Sequence, residues 1–417
     1  LYRTGPGLLE RFGKRVPHPF EADGVVSAAR FTGGAAEGAC RVVESAGYRE
    51  EEAAGRFLYS SAASFWDRMR AVRRGVAKTT GNTSLLQHQG RLYALMEGGL
   101  AQEIDADSLE ALDASDFGVV MRAFSAHPHR VASLQTTFNF GLRYGREMSI
   151  DFYALPDVGP ARHLTTVPAP WMSLVHDFVA TERHLVAFVS PVRLVLWRAL
   201  LGLLDLEKLF RWRPELGTRV LVVPLNDVER PKSFELEPFW VWHFVNAFDD
   251  GGGVSVDLCR YEDFASLGEI GTTSETSLPT LSRLHLDLTS GRAVWSRRAD
   301  VAVEFPQLHP AVHGSRHEVF FAQTRGSAGD GISRIADSGV EATWTPSADQ
   351  MLSEPVLVPR SEAADDVWVL DLVLDTKTET SHVAILDGHR LAEGPVARVH
   401  FDHPLPLTFH GTFVPAR

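Results

Sequence analysis

The sequence predicts an all-β fold, a propeller of several four-stranded blades. Three observations carry this expectation. Short Val-, Phe- and Leu-rich runs recur along the whole chain. Clusters of Gly, Asp, Asn, Ser and Pro cut them at roughly even spacing. The length of 417 residues, 44% of them hydrophobic, is too great for one ordinary sandwich. No WD, kelch or other clean repeat fixes the number of blades. No Pro- or Ser-rich linker divides the chain, so residues 1–417 are expected to form a single domain.

Strand-like runs occupy 85–96, 174–189, 220–224, 240–259, 319–324 and 367–374, with turn clusters such as 249–253 between them. Two stretches break the pattern and are expected to cap the propeller, over about 56–78 and 190–214. The first looks helical, with Phe65, Trp66, Met69 and Val72 partly at helical spacing among Arg68, Arg70, Arg73, Arg74 and Lys78. The second packs Leu194, Leu196, Trp197, Leu200, Leu201 and Leu204 close together, with Arg193, Arg198 and Lys208 interspersed. It is too short and too charged to span a bilayer, and very apolar for an exposed helix. It suits either a buried cap helix or a patch dipping into one leaflet with arginines at headgroup level.

Lys plus Arg is 41 and Asp plus Glu is 53, a net charge of −12. That balance excludes general nucleic-acid binding, where basic surface supplies most of the affinity. Two cysteines, Cys40 and Cys259, make neither a disulfide framework nor a thiolate zinc site. No signal-like segment and no membrane span is present in the sequence, which points to a cytoplasmic protein. The start at Leu1 suggests that residues precede it.

Seventeen histidines must be sorted by context. Those at 18, 163, 309, 313, 317, 389 and 403 lie in polar or turn segments. Four lie inside or at the edge of apolar runs: His127, His176, His243 and His410. A dry, neutral imidazole needs a partner at each nitrogen, and a metal is one way to supply it. For any one of them, a hydrogen-bonded core histidine is the simpler explanation.

A wider set of motifs changes that weighting. Leu1-Tyr2-Arg3-Thr4-Gly5-Pro6-Gly7, Phe20-Glu21-Ala22-Asp23-Gly24, Gly81-Asn82-Thr83 and Leu95-Met96-Glu97-Gly98-Gly99 follow one another in order. Ala126-His127-Pro128, the region of His176 and His243-Phe244-Val245-Asn246-Ala247 come next. Glu304-Phe305-Pro306-Gln307, Ser353-Glu354-Pro355 and Phe409-His410-Gly411 complete the series. In this series the chain resembles the carotenoid cleavage oxygenase family, which includes apocarotenoid oxygenases, lignostilbene dioxygenases and the retinoid isomerase of the eye. The resemblance runs from the first residue to the last few.

The resemblance implies a seven-bladed β-propeller with an axial Fe(II) under a helical and loop cap. It maps the four iron ligands onto His127, His176, His243 and His410, and the glutamates that orient them onto Glu97, Glu304 and Glu354. It places the methyl of Thr83 near one open iron position. Apolar side chains beside these residues, Met96, Trp242, Phe244 and Phe409, suit a substrate tunnel, although propeller packing also explains them. Lignostilbene-type members carry a lysine where this chain has Met96. The expected reaction is therefore oxidative cleavage of a C=C bond in an apolar polyene with O2, with peripheral membrane association and no obligate protein partner. Stilbene cleavage, isomerisation and carotenoid binding without catalysis are the alternatives.

Overall fold

Alternate residues of a β-strand point to opposite faces, and in this protein both faces of most strands are buried. Leu185 and Ala187 pack into one apolar cluster while Val186 and Phe188, their neighbours, pack into the next. Phe320 and Phe321 divide in the same way. Sheets stacked like this must close on themselves or leave an apolar face bare, and here they close.

The computed structural model describes residues 1–417 apart from 76–77, 202, 204, 273–275, 300, 326–329 and 416–417. Among the described residues, seven antiparallel sheets of four or five strands follow in chain order, besides two two-stranded ribbons. Blade 1 contains Tyr2–Leu8, Asp23–Thr32 and Ala35–Val42, and is completed by His410–Thr412. Blade 2 runs from Ser84–His88 to Ala111–Ser115, and blade 3 from His129–Val131 to Arg162–Pro168. Blade 4 begins at Phe178–Ala180, blade 5 at Trp240–Asp250 and blade 6 at Ala302–Gln307. In blade 7 both Gln350–Leu352 and Val356–Pro359 pair with Val367–Asp375. The ring is shut where Tyr2, Arg3 and Thr4 pair with Thr412, Gly411 and His410. This is the seven-bladed propeller that the sequence leads one to expect.

The cap differs in detail from the expectation. Helix α1 (Ala46–Ala54) was not foreseen, and α2 (Phe65–Arg74) is shorter than the predicted 56–78. The Ser64 hydroxyl accepts the Asp67 N–H and so starts α2, and Gly75 at φ 63° ends it. The segment 190–214 is not one helix. Val192–Leu194 pairs with Phe210–Trp212 as a hairpin, and the turn between them carries two short helices, Leu196–Leu200 and Leu206–Leu209. An aromatic cluster of Trp240, Trp242, Tyr261 and Phe264, joined by Phe20, Phe210 and Trp212, seats this hairpin over the propeller.

Candidate metal centre

The first strands of successive blades line the axis, and the four predicted histidines enter it from four blades. His127 and His176 immediately precede the first strands of blades 3 and 4. His243 lies within the first strand of blade 5, and His410 opens the strand that closes blade 1. One ring nitrogen from each falls within 4.8 Å of the other three. The side chains are 9, 4, 11 and 11% exposed for His127, His176, His243 and His410.

The three glutamates stand behind this ring. Nδ1 of His243 donates to Oε2 of Glu304 at 2.5 Å, and Nδ1 of His410 donates to Oε1 of Glu354 at 2.8 Å. Nδ1 of His176 lies 2.8 Å from Oε1 of Glu97, which is also 3.9 Å from Nε2 of His127. A carboxylate only accepts, so at His243 and His410 the proton sits on Nδ1 and the Nε2 lone pair is free. Nε2 of His127 and of His243 are buried without a hydrogen-bond partner. Converging imidazole lone pairs left orphaned in a dry site are what a metal ion satisfies, and the residues present fit one.

Burial and mutual charge set the protonation here. Burial, reinforced by the neighbouring imidazoles, holds His127 and His176 well below the usual histidine range, which favours the neutral form of both. Burial also depresses His243, but the Glu304 carboxylate more than offsets it and raises the net value. Burial, with Asp177 nearby, pushes Glu97 well up. For Glu354, burial is outweighed by His410 and by the buried Arg3 guanidinium, and the carboxyl is lowered.

Of the other expected residues, Thr83 lies beside the centre, its carbonyl accepting the His410 N–H at 3.2 Å. Trp242 packs edge-on to His176 with ring centroids 4.8 Å apart. Phe409 meets Phe20 at 5.6 Å. Phe244 borders the cavity at the histidines, while its ring packs against Phe188 in the core between blades 4 and 5. Met96 is folded back, its sulfur accepting the Thr80 N–H at 3.1 Å. In the cap hairpin, Leu196, Trp197, Leu200 and Leu201 are exposed and Leu194 is half-buried, while Leu204 lies outside the described residues.

Several residues at the site carry no simple sequence signal. Phe305 lies between two of the histidines, its ring 5.0 Å from that of His243 and 5.6 Å from that of His410. Its φ of +51° is a left-handed conformation that bulky residues avoid. Asp177 follows His176, pairs with His129 at 2.8 Å and accepts the Phe244 N–H at 3.3 Å. Gln307 donates to Glu354 at 2.7 Å. A cavity of about 250 Å³ runs from His127, His243 and His410 down the axis past His129, Asp177 and His313. A buried acid directly after an apolar-run histidine was the one available hint, at Asp177.

The family described as retinal pigment epithelial membrane protein matches residues 1–415. The Synechocystis protein named apocarotenoid-15,15'-oxygenase is 26% identical over 99% of this chain and 89% of its own. The Pseudomonas putida isoeugenol monooxygenase is 27% identical over 94% of this chain and 87% of its own. The Sphingomonas paucimobilis lignostilbene-alpha,beta-dioxygenase isozyme III is 24% identical over 95% and 87%. Among solved structures, a cobalt-substituted Synechocystis ACO superimposes with a TM-score of 0.89 at 24% identity, over 98% of this chain and 91% of that one. That likeness establishes the common propeller. With a match over nearly its whole length and relatives named as oxygenases, the chain is an oxygenase and belongs to the retinal pigment epithelial membrane protein family, the carotenoid oxygenases.

Proposed function

We propose that the protein is a non-haem iron(II) dioxygenase that cleaves one C=C bond of a carotenoid or apocarotenoid with O2. The products are two carbonyl compounds: one C=C and one O–O bond are lost and two C=O bonds are gained, so both oxygen atoms are accounted for. The observation that carries this reading is the ring of four imidazoles, three with a glutamate against Nδ1, in a site shielded from water. Iron(II), when bound, supplies the activation of dioxygen.

The chain's own residues do the rest. His127, His176, His243 and His410 would hold the ion. Glu97, Glu304 and Glu354 fix the tautomers and ring orientations. The Thr83 hydroxyl is occupied by Asn82, which would leave its methyl to restrict access beside the histidine ring. Trp242, Phe409 and Phe20 supply an apolar, aromatic wall for a polyene. An uncharged Met96 offers no anchor to a phenol, which favours the polyene over a hydroxystilbene.

A membrane-facing cap completes the reading. Trp66 is 74% exposed and Trp197 54% exposed, with Phe65, Leu196, Leu200 and Leu201 also bare. Arg68, Arg198 and Lys208 line a hollow between the two cap segments, where they would meet headgroups. No helix among the described residues is long and apolar enough to cross a membrane, and the attachment proposed is through these exposed side chains to one leaflet.

Stilbene cleavage is the second reading, favoured by the likeness to the isoeugenol and lignostilbene enzymes. The deciding experiment is anaerobic loading with Fe(II), then mass analysis of products formed in air from apocarotenals, β-carotene and hydroxystilbenes. Aldehyde fragments from the polyenes, lost in His243→Ala, would support the proposal. Cleavage of stilbenes alone would overturn the substrate assignment. Full iron occupancy without turnover of any of them would overturn the dioxygenase reading itself.

A further inference from the structure

Asn82 is 1% exposed and sits next to Thr83, at the entry to blade 2. Its Oδ1 accepts the Thr83 hydroxyl at 3.0 Å, and Thr83 in turn is tied to the histidine ring through the His410 N–H. Its Nδ2 faces the main-chain carbonyls of a single loop, Ala22 at 2.8 Å, Phe20 at 3.0 Å and Pro19 at 3.4 Å. These carbonyls belong to the short 3₁₀ turn Pro19–Glu21 and the residue after it, and that of Pro19 also accepts the Ala22 N–H at 3.0 Å. The loop carries the Phe20 ring, which stands edge-on to Phe409 at 5.6 Å and to Trp242 at 6.2 Å. Further contacts fasten the loop to the cap: His18 reaches the Leu267 carbonyl at 3.1 Å, and Glu21 accepts the Ser61 N–H at 2.6 Å.

We propose that Asn82 is a positioning residue that sets the aromatic wall of the tunnel in register with the metal centre. The primary amide is the side chain this task needs, since one end must accept from Thr83 while the other donates to the Phe20 loop. Aspartate keeps the acceptor and loses both donors, and alanine keeps neither. Asn82 touches no substrate in this account. It acts through Phe20, and the distance from Phe20 to the histidine ring decides which double bond of a long polyene lies over the metal. For its substrate this inference rests on the dioxygenase reading above.

The test uses binding and chemistry separately. Binding of a long-chain apocarotenal to the metal-free protein is followed by quenching of tryptophan fluorescence. Product masses and the split between KM and kcat are then measured on the Fe(II)-loaded enzyme. Asn82→Ala is expected to bind about tenfold more weakly than wild type without metal, from the hydrogen bonds that hold the loop. Loaded, it is expected to show a matching rise in KM with kcat within about threefold, and a second pair of aldehyde fragments from a shifted cut. A loss of folded protein alone would lower the yield without moving the cleavage position. Phe20→Leu should reproduce both changes, and it decides the matter if Asn82→Ala does not fold. The double variant should be no worse than Asn82→Ala, because the two act in series. Wild-type binding and products in Asn82→Ala, or in Phe20→Leu, would overturn the proposal. A wild-type protein that binds the apocarotenal and cleaves nothing would instead overturn the dioxygenase reading.

Discussion

Two of the glutamates behind the histidines differ in how completely their oxygens are used, and this difference predicts unequal losses on amidation. Oε1 of Glu354 takes the His410 Nδ1 proton at 2.8 Å and a Gln307 amide proton at 2.7 Å, while Oε2 takes the Gly411 N–H at 3.0 Å. Glutamine offers one oxygen, so in Glu354→Gln some donor must face an NH2 group. The least costly arrangement keeps His410 and Gln307 and leaves the Gly411 N–H unpaired, at about 1–3 kcal/mol. Glu304 is different. Oε2 alone accepts both His243 Nδ1 at 2.5 Å and the Phe305 N–H at 3.1 Å. Oε1 makes no bond to the ligand ring, and the nearby Tyr261 hydroxyl accepts from an amide as readily as it donates to a carboxylate. Glu304→Gln therefore keeps its hydrogen bonds and loses only charge. Changes of this kind span roughly 10- to 100-fold in metal affinity. Glu354→Gln is expected near the upper end, about 2.7 kcal/mol, and Glu304→Gln at or below the lower, about 1.4 kcal/mol. Anaerobic competition of each variant against a chelator for Fe(II) or Co(II), with circular dichroism to confirm folding, measures the pair. Equal losses, or the reverse order, would refute this account of how the glutamates act.

Three further outcomes can be checked directly. Asp257, fully buried, is gripped by Arg283 at 2.7 and 2.8 Å, by Arg298 at 2.6 Å and by His317 at 3.2 Å. Although burial opposes it, these partners bring the carboxyl down to about 2. Its folded value is below its unfolded one, so the stabilisation is present above about pH 4 and is lost as pH falls towards 2. That is about 2 kcal/mol. The gap in urea midpoint between wild type and Asp257→Asn should therefore narrow on going from pH 5 towards pH 2, and a gap independent of pH would contradict it. Met96→Lys puts an ammonium one residue before Glu97, and should raise the rate on a hydroxystilbene relative to an apocarotenal by about tenfold. An unchanged ratio would remove position 96 from the specificity argument. Replacing Trp197, Leu200 and Leu201 together with serine should abolish sedimentation with liposomes, since each inserted side chain is worth about 1.5–3 kcal/mol. Iron content should not change, and continued sedimentation would make the hairpin an ordinary cap.

The all-β architecture was legible because each strand sandwiched between blades needs apolar residues on both faces, as at Leu185 to Phe188. The same requirement hid the blade count, since inter-blade packing asks for apolar character and not for a repeated motif. Helix α1 escaped notice because what it buries is Glu51, held by Arg11 at 2.9 Å and Lys78 at 2.7 Å, and an ion-paired face leaves no apolar periodicity. The leucines of the cap suggested a helix by density alone, whereas the pairing of Val192 with Trp212 belongs to a hairpin. The four histidines stood out by their apolar settings, and the family motifs picked the same four. Phe305 did not stand out, because a left-handed φ at a phenylalanine before a proline is imposed by the surrounding structure and not by local preference.

The strand that shuts the ring also carries one of the four clustered histidines. His410 pairs with Thr4 of the opening strand, and Arg3 is bonded to Thr408 across 405 positions of chain. The fourth imidazole therefore joins the other three only when the strand that His410 opens has paired with the first strand of blade 1. A chain in which these two strands have not paired holds at most three of the four histidines in place. If the ring holds an ion as proposed, its capture is in this way tied to closure of the propeller, and a clipped or half-folded molecule would not carry a metal in an unfinished site.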